Sequence, residues 1–168
     1  MFAGASYTFG TLWGNVGQSG AAMLLTGTFA RTLDDKLRVA IPKQFRATLV
    51  GSADSPIYLA PGNDGCLAIY PEKAFLAFAE RLGKASPGEK DARAFGRLFY
   101  AKAHAQELDA QGRVRIPAEL AAWAQLAKDA VLVGVNDHLE LWDTQRWEQY
   151  VSQRQGKFDE LAEAALRF

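Results

Sequence analysis

The sequence predicts a mainly β protein with short helices, built from two copies of one strand-rich unit. Three observations carry this. The block Leu33-Asp34-Asp35-Lys36-Leu37-Arg38-Val39-Ala40-Ile41-Pro42 recurs 75 residues later as Leu108-Asp109-Ala110-Gln111-Gly112-Arg113-Val114-Arg115-Ile116-Pro117, with six of ten positions identical. A second block, Leu67 to Phe75, recurs in the same order as Leu139 to Trp147, now offset by 72. Short apolar runs bounded by Gly, Pro, Asn and Asp punctuate both copies, as strands and turns do. Two blocks repeated in one order point to duplication, with a connection three residues shorter in the second copy.

Each unit reads as strand, turn, strand, short helix, two strands and a helix. In the first, Thr28 to Leu33 and Arg38 to Ile41 are strands around a turn at Asp34 to Leu37. Pro42 is expected at the first helical position, followed by Lys43 to Leu49. Ile57 to Ala60 and Leu67 to Tyr70 flank Pro61-Gly62-Asn63-Asp64-Gly65, a strong turn signal. Pro71 then starts a helix in which Phe75, Phe78 and Leu82 share one face. In the second unit, strands are expected at Ala103 to Leu108, Arg113 to Ile116, Ala130 to Val135 and Leu139 to Trp142, with a helix over 118–127. Asp143 is placed to cap a helix. A last amphipathic helix is expected over much of Trp147 to Phe168, with Phe158, Leu161 and Ala165 on one side.

These elements divide the chain into an extension at 1–22, a first unit at 23–83, a linker region at 84–98, a second unit at 99–150 and a C-terminal helix at 151–168. The extension is rich in Gly, Ser, Thr and aromatics, has no counterpart in the repeat and is expected to be disordered. Met23 is an alternative start. Half-length units are marginal alone, which favours packing of the halves on each other or oligomerisation.

Composition excludes several classes. One cysteine, Cys66, allows no intrachain disulfide and no multi-cysteine metal site, and two histidines, His104 and His138, do not fill a zinc site unaided. No metal and no cofactor are expected. No apolar run suits a membrane span, no basic leader precedes Arg31, and a reducing cytoplasm is the natural compartment. The loosely spaced Gly10, Gly14, Gly17 and Gly20 lack the Gly-Lys-Ser/Thr ending of a phosphate loop. No nucleophile–histidine constellation accompanies Asp34, Asp35 and Asp109, so an enzyme is not expected.

Net charge is zero, yet residues 31–46 hold five basic and two acidic side chains. Affinity for nucleic acid follows such local arrangement. An Arg beside a tight turn can offer two parallel donors to guanine O6 and N7 in the major groove. A neighbouring Asp either fixes that guanidinium or accepts from cytosine N4. Arg31, Lys43 and Arg115 suit phosphates, which position without specifying, and Lys36 is a further DNA-binding candidate in the first loop. The bland alternative is a surface ion pair between Asp and Arg four residues apart; the repetition of the pair in context weighs against it. Trp142 and Trp147 read as core or interface aromatics, Cys66 as buried and unreactive.

The repeated block follows the pattern Leu-Asp-x-Lys-Gly-Arg-x-x-Ile-Pro and resembles the MraZ family of bacterial regulators, relatives of the AbrB-like swapped-hairpin proteins. Gly27-Thr28-Phe29, Phe95-x-Arg97-x-Phe99 and Gly134 with Leu139-Glu140-Leu141-Trp142 extend the resemblance over about Met23 to Tyr150. It implies duplicated AbrB-like, β-barrel-like units forming a pseudo-twofold monomer. It implies a nucleoid-associated repressor that forms a ring-like homo-oligomer on double-stranded DNA, at tandem G-containing repeats upstream of its own division and cell-wall operon. The family's contact signature falls on Asp34 and Arg38, and on Asp109 and Arg113. Leu37 departs from the pattern's Gly, so the first turn is expected to differ in shape from the second, which keeps Gly112. The competing functions are an antitoxin-type regulator holding a protein toxin through its C-terminus, and a purely structural ring protein.

Overall fold

The computed structural model describes residues 24–52, 54–84 and 88–166; the expected N-terminal extension lies outside them. The chain order is β1 (Leu25–Thr32), β2 (Arg38–Ala40), α1 (Lys43–Val50), β3 (Ile57–Pro61), β4 (Leu67–Pro71), α2 (Glu72–Lys84), α3 (Lys90–Lys102), β5 (His104–Gln106), β6 (Arg113–Arg115), α4 (Ala118–Trp123), β7 (Asp129–Asn136), β8 (His138–Asp143), α5 (Thr144–Arg154) and α6 (Phe158–Ala165). Short 3-10 turns at Asn63–Gly65 and Gln155–Lys157 complete it.

The strands form a six-stranded antiparallel sheet in the order β1-β7-β8-β4-β3-β5 and a separate ribbon, β2-β6. Under the sequence repeat, β1 corresponds to β5, β3 to β7 and β4 to β8. The sheet order therefore reads the same from either end, with a pseudo-twofold axis between β4 and β8. The halves are interlocked. β1 pairs with β7 of the other half, and β5 with β3 of the other half. The ribbon also takes one strand from each, with Val39 opposite Val114 at its centre.

This corrects the hairpin expected at each Asp-x-x-x-Arg turn. The turn closes locally, through Leu37 N–H to the Asp34 carbonyl at 2.9 Å and Asp34 N–H to the Arg38 carbonyl at 3.1 Å. Beyond it the strands separate into different sheets, because each finds its ladder partner in the other half.

Strand alternation sorts the core. Val39, Ile41, Val114 and Ile116 of the ribbon and its flanks are buried against Leu59, Leu67, Ile69, Leu132, Leu139 and Leu141 of the sheet, with Phe45 and Leu49 of α1 and Leu120 of α4 closing the sides. Full burial of such a side chain contributes about 1.5–3 kcal/mol. On the other sheet face, Ala68 and Tyr70 meet Phe75 and Phe99 of α2 and α3, while Trp142 packs on Trp147 and Tyr150 of α5. Asp143 caps α5, accepting from the N–H groups of Gln145 (3.0 Å) and Arg146 (3.2 Å).

Several local expectations change. The stretch expected as a linker is largely α3, because Phe95 and Phe99 share one helix face; they stack on each other at 5.6 Å, and Phe99 meets Phe78 at 4.9 Å. The strand expected from Ala103 is only β5. Pro42 and Pro117 stand just before their helices with ψ of 133° and 139°, so they leave the ribbon extended and accept from Phe45 and Leu120 N–H. Pro71 likewise ends β4. The helix expected to 127 stops at Trp123, with Gln125 at φ +49°. The C-terminal helix is split by the turn containing Gly156.

Leu37 is the most informative correction. Its φ is +55°, in the same left-handed region as Gly112 at +74°. The two turns therefore share a shape. Leucine tolerates the strained backbone because its side chain packs on the buried core.

Gly134 marks a close approach: a Cβ there would overlap the backbone of Leu25 and Thr26 in β1. Gly134→Ala is expected to destabilise the protein by about 1–3 kcal/mol, as overpacking does, lowering Tm by about 2–4 °C per kcal/mol. Amide exchange in β1 is expected to quicken. An unchanged melting curve would contradict the close pairing of β1 with β7.

Candidate nucleic-acid interface

The two Asp-x-x-x-Arg loops are near copies. Asp34 Oδ1 accepts from the backbone N–H of Lys36 and of Arg38, both at 2.9 Å, and Oδ2 accepts from Arg38 Nε at 2.8 Å. Asp109 Oδ1 accepts from Gln111 N–H at 3.0 Å and Arg113 N–H at 2.9 Å, and Oδ2 from Arg113 Nε at 2.8 Å. One carboxylate thus shapes each loop with one oxygen and holds the arginine with the other. Arg113 Nη1 also lies 3.7 Å from Asp34 Oδ2, which links the loops.

Each loop is further held by the opposite half. Ile116 N–H donates to the Leu37 carbonyl at 2.7 Å, and Ile41 N–H to the Gly112 carbonyl at 2.9 Å. Both aspartates titrate below the ordinary 3.8. The largest cause is the backbone N–H of the arginine four residues on, which outweighs partial burial and is joined by the guanidinium and by the N–H two residues on.

Alternation along the ribbon buries Val39 and Val114 and turns Arg38, Ala40, Arg113 and Arg115 outward. Arg38 stands directly opposite Arg115, and Ala40 opposite Arg113. Like charges facing across strands destabilise a sheet, so this face is built at some cost to stability. Arg31 joins it, donating from Nε to the Ala40 carbonyl at 2.9 Å. Lys36 is exposed in the first loop, and Lys43 is exposed at the start of α1. Of the residues singled out from sequence, Asp34, Arg38, Asp109, Arg113, Arg115 and Arg31 come together around the ribbon; Lys36 and Lys43 lie on the loop and helix attached to it.

Sequence reasoning passed over Arg46. Its guanidinium covers Gly112, and its Nε donates to the Ile41 carbonyl at 3.0 Å. The signal was the repeat itself, since 75 residues on the matching position is Ala121.

Other polar groups have partners of their own. His104 Nε2 meets Glu119 Oε1 at 2.5 Å. Cys66 is fully buried, and burial pushes its thiol up, away from the reactive thiolate. His138 stacks on Tyr70 at 4.8 Å and meets Asp137 at 2.7 Å. Burial opposes its charge, but hydrogen bonds to Glu140 and Asp137 win and raise its pKa above 6.5. Tyr70, desolvated beside the carboxylates of Asp137 and Glu140, is pushed up to about 12.

An interlocked, duplicated β protein whose halves exchange strands and share a solvent-facing arginine ribbon defines the class. The family model described as "MraZ protein, putative antitoxin-like" matches residues 24–98 and again 99–168. The chain is 42% identical to a protein named transcriptional regulator MraZ from Lactiplantibacillus plantarum over 142 residues, covering 84% of this chain and 98% of that one. It is 37% identical to the protein of that name from Finegoldia magna over 135 residues (80% and 92% covered). With the one from Mycobacterium avium it shares 38% over 143 residues (85% and 97% covered). The chain belongs to the MraZ family.

Two titrations follow from this geometry. The aspartate pKa values are depressed on folding, so their contribution is complete above 3.8 and is lost as pH falls through the lower, folded values. Carboxyl-carbon NMR is expected to give midpoints below 3.8 for Asp34 and Asp109; a midpoint at or above 3.8 would refute the hydrogen-bonded loop. For His138 the sign is opposite. Its contribution is complete below 6.5 and fades as pH rises through its raised value, so ring-proton NMR is expected to place its midpoint above 6.5, and His138→Gln to remove that pH dependence from the melting curve.

Proposed function

We propose that this protein is a sequence-specific DNA-binding transcriptional regulator, with no catalytic step, that lays the β2-β6 ribbon into the major groove. The observation that carries this reading is the outward face of the ribbon. Arginines from both halves are displayed there, Arg38 against Arg115, where an anionic partner offsets their repulsion. A two-stranded ribbon fits the major groove.

Arg38 and Arg113 spend Nε on their aspartates, and the terminal nitrogens, of which only Arg113 Nη1 lies within ion-pair reach of a further carboxylate (Asp34, 3.7 Å), turn to guanine O6 and N7. Asp34 and Asp109 orient those guanidinium groups rather than accepting from a base, since both oxygens of each are already engaged within the loop. Arg31, Lys36, Lys43 and Arg115 supply phosphate contacts. The relatives bear the name transcriptional regulator, and the family resemblance supports the finer reading. On that reading the protein is a nucleoid-associated repressor in the cytoplasm, acting at tandem G-containing repeats upstream of its own operon. Assembly into a homo-oligomeric ring would present many ribbons to those repeats and raise avidity through effective concentration. The two halves then act as the units expected at 23–83 and 99–150, joined through α3.

A second reading rests on two observations. The family description includes the word antitoxin, and α6 leaves Phe158 and Leu161 exposed. A stable heterocomplex that is lost when those two residues are changed would favour it.

The test is a titration of the full chain against the duplex upstream of its own gene, beside a scrambled duplex, over several salt concentrations. Tight binding to the first alone is expected. Arg38→Ala and Arg113→Ala are each expected to cost about 1–3 kcal/mol of discrimination at one guanine while light scattering shows unchanged assembly. Equal, salt-sensitive binding of wild type to both duplexes, or unchanged affinity in both variants, would refute the reading.

A further inference from the structure

We propose that Arg46 is a DNA-backbone contact serving only the second loop, so that the two halves of the ribbon hold DNA differently and in one direction. This rests on the DNA-binding reading above. Arg46 belongs to α1 of the first half, yet its guanidinium packs directly over Gly112, the residue before Arg113; even a Cβ at Gly112 would overlap it. Its Nε donates to the Ile41 carbonyl at 3.0 Å, and Ile41 N–H in turn donates to the Gly112 carbonyl at 2.9 Å. The guanidinium is thus fixed at the joint between β2 and the second loop.

Its partner there is a carbonyl, whereas Arg38 and Arg113 each bind a carboxylate. A carbonyl holds the group in place without neutralising its charge. Among the described residues no hydrogen bond or ion pair engages its terminal nitrogens, and a fixed guanidinium so disposed matches the bidentate geometry of a phosphate.

The first loop has no such device. The position matching Arg46 is Ala121, buried in the core, and the position matching Gly112 is Leu37, whose side chain turns into that core. The first loop instead carries Lys36, an exposed point charge on a flexible stem, where the second has Gln111. A face with true twofold symmetry accepts a duplex in either direction. With a fixed fork at one end and an ammonium on a flexible stem at the other, it favours one.

The experiment compares wild type, Arg46→Gln and Arg46→Lys in full-length protein, titrated over a salt series against the upstream duplex and singly base-substituted versions of it. Thermal melts run beside them. Loss of one phosphate contact is expected to reduce the slope of log K against log salt by about 0.9 in Arg46→Gln, with every duplex weakened by the same factor. Arg46→Lys keeps the charge and is expected to keep the wild-type slope. An unchanged slope in Arg46→Gln, with or without a lower Tm, overturns the contact and leaves a packing role. A loss confined to particular bases overturns its assignment to the backbone. If wild type binds neither the upstream nor a scrambled duplex, the DNA-binding reading itself falls and this inference with it.

Discussion

The rest of the structure depends on the pairing of β2 with β6. Val39 and Val114 meet at the pseudo-twofold axis, fully buried on the sheet. Neither half can bury its own valine without the other. The bonds from Ile116 to Leu37 and from Ile41 to Gly112 then tie each loop to the opposite half. β1 and β5 complete the interlock by pairing across halves in the main sheet. A chain whose halves are each too small for a self-sufficient core thus obtains one shared core.

That pairing also displays the arginines. Burying one face of a two-stranded ribbon forces the other outward, and the register sets Arg38 against Arg115. The aspartates make the arrangement tolerable. Each satisfies its own loop backbone and offsets one guanidinium, which leaves Arg38 and Arg113 oriented on the outer face. Preorganisation of this kind lowers the entropy lost on binding. It also explains a neutral protein with a basic working face, since the acidic residues of α6 lie at the far end of the chain, outside the ribbon.

Duplication usually leaves two equivalent sites, but here the copies have diverged in a compensated way. Leu37 occupies a glycine backbone and recovers the cost by packing on the buried core, to which Ala121, the counterpart of Arg46, also belongs; Gly112 leaves open the surface on which Arg46 lies. Each change is intelligible only with its partner across the axis. On the opposite sheet face, the aromatic layer of Tyr70, Phe75, Phe78 and Phe99 holds α2 and α3 in place, and it gives the stretch between the repeats a structural role of its own.

Much of this was determined by the sequence alone. The repeat spacing, the turn residues and the Asp-Arg pairs are local features, and local sterics and hydrogen bonding decide them. Asp143 capping its helix belongs with them. What the tertiary structure decided is which strand pairs with which. Alternation marks a strand's buried face but not its neighbour, so the divergence of β1 from β2 and the crossed sheet order were not legible. Nor was the left-handed Leu37, because the contacts that offset its backbone strain come from residues distant in sequence. Helix α3 was read as linker for the same reason: its helical face becomes decisive only where Phe95 and Phe99 find Phe78. Arg46 became a candidate only once folding set it over Gly112, since a side chain's charge is written in the sequence and its neighbours are not.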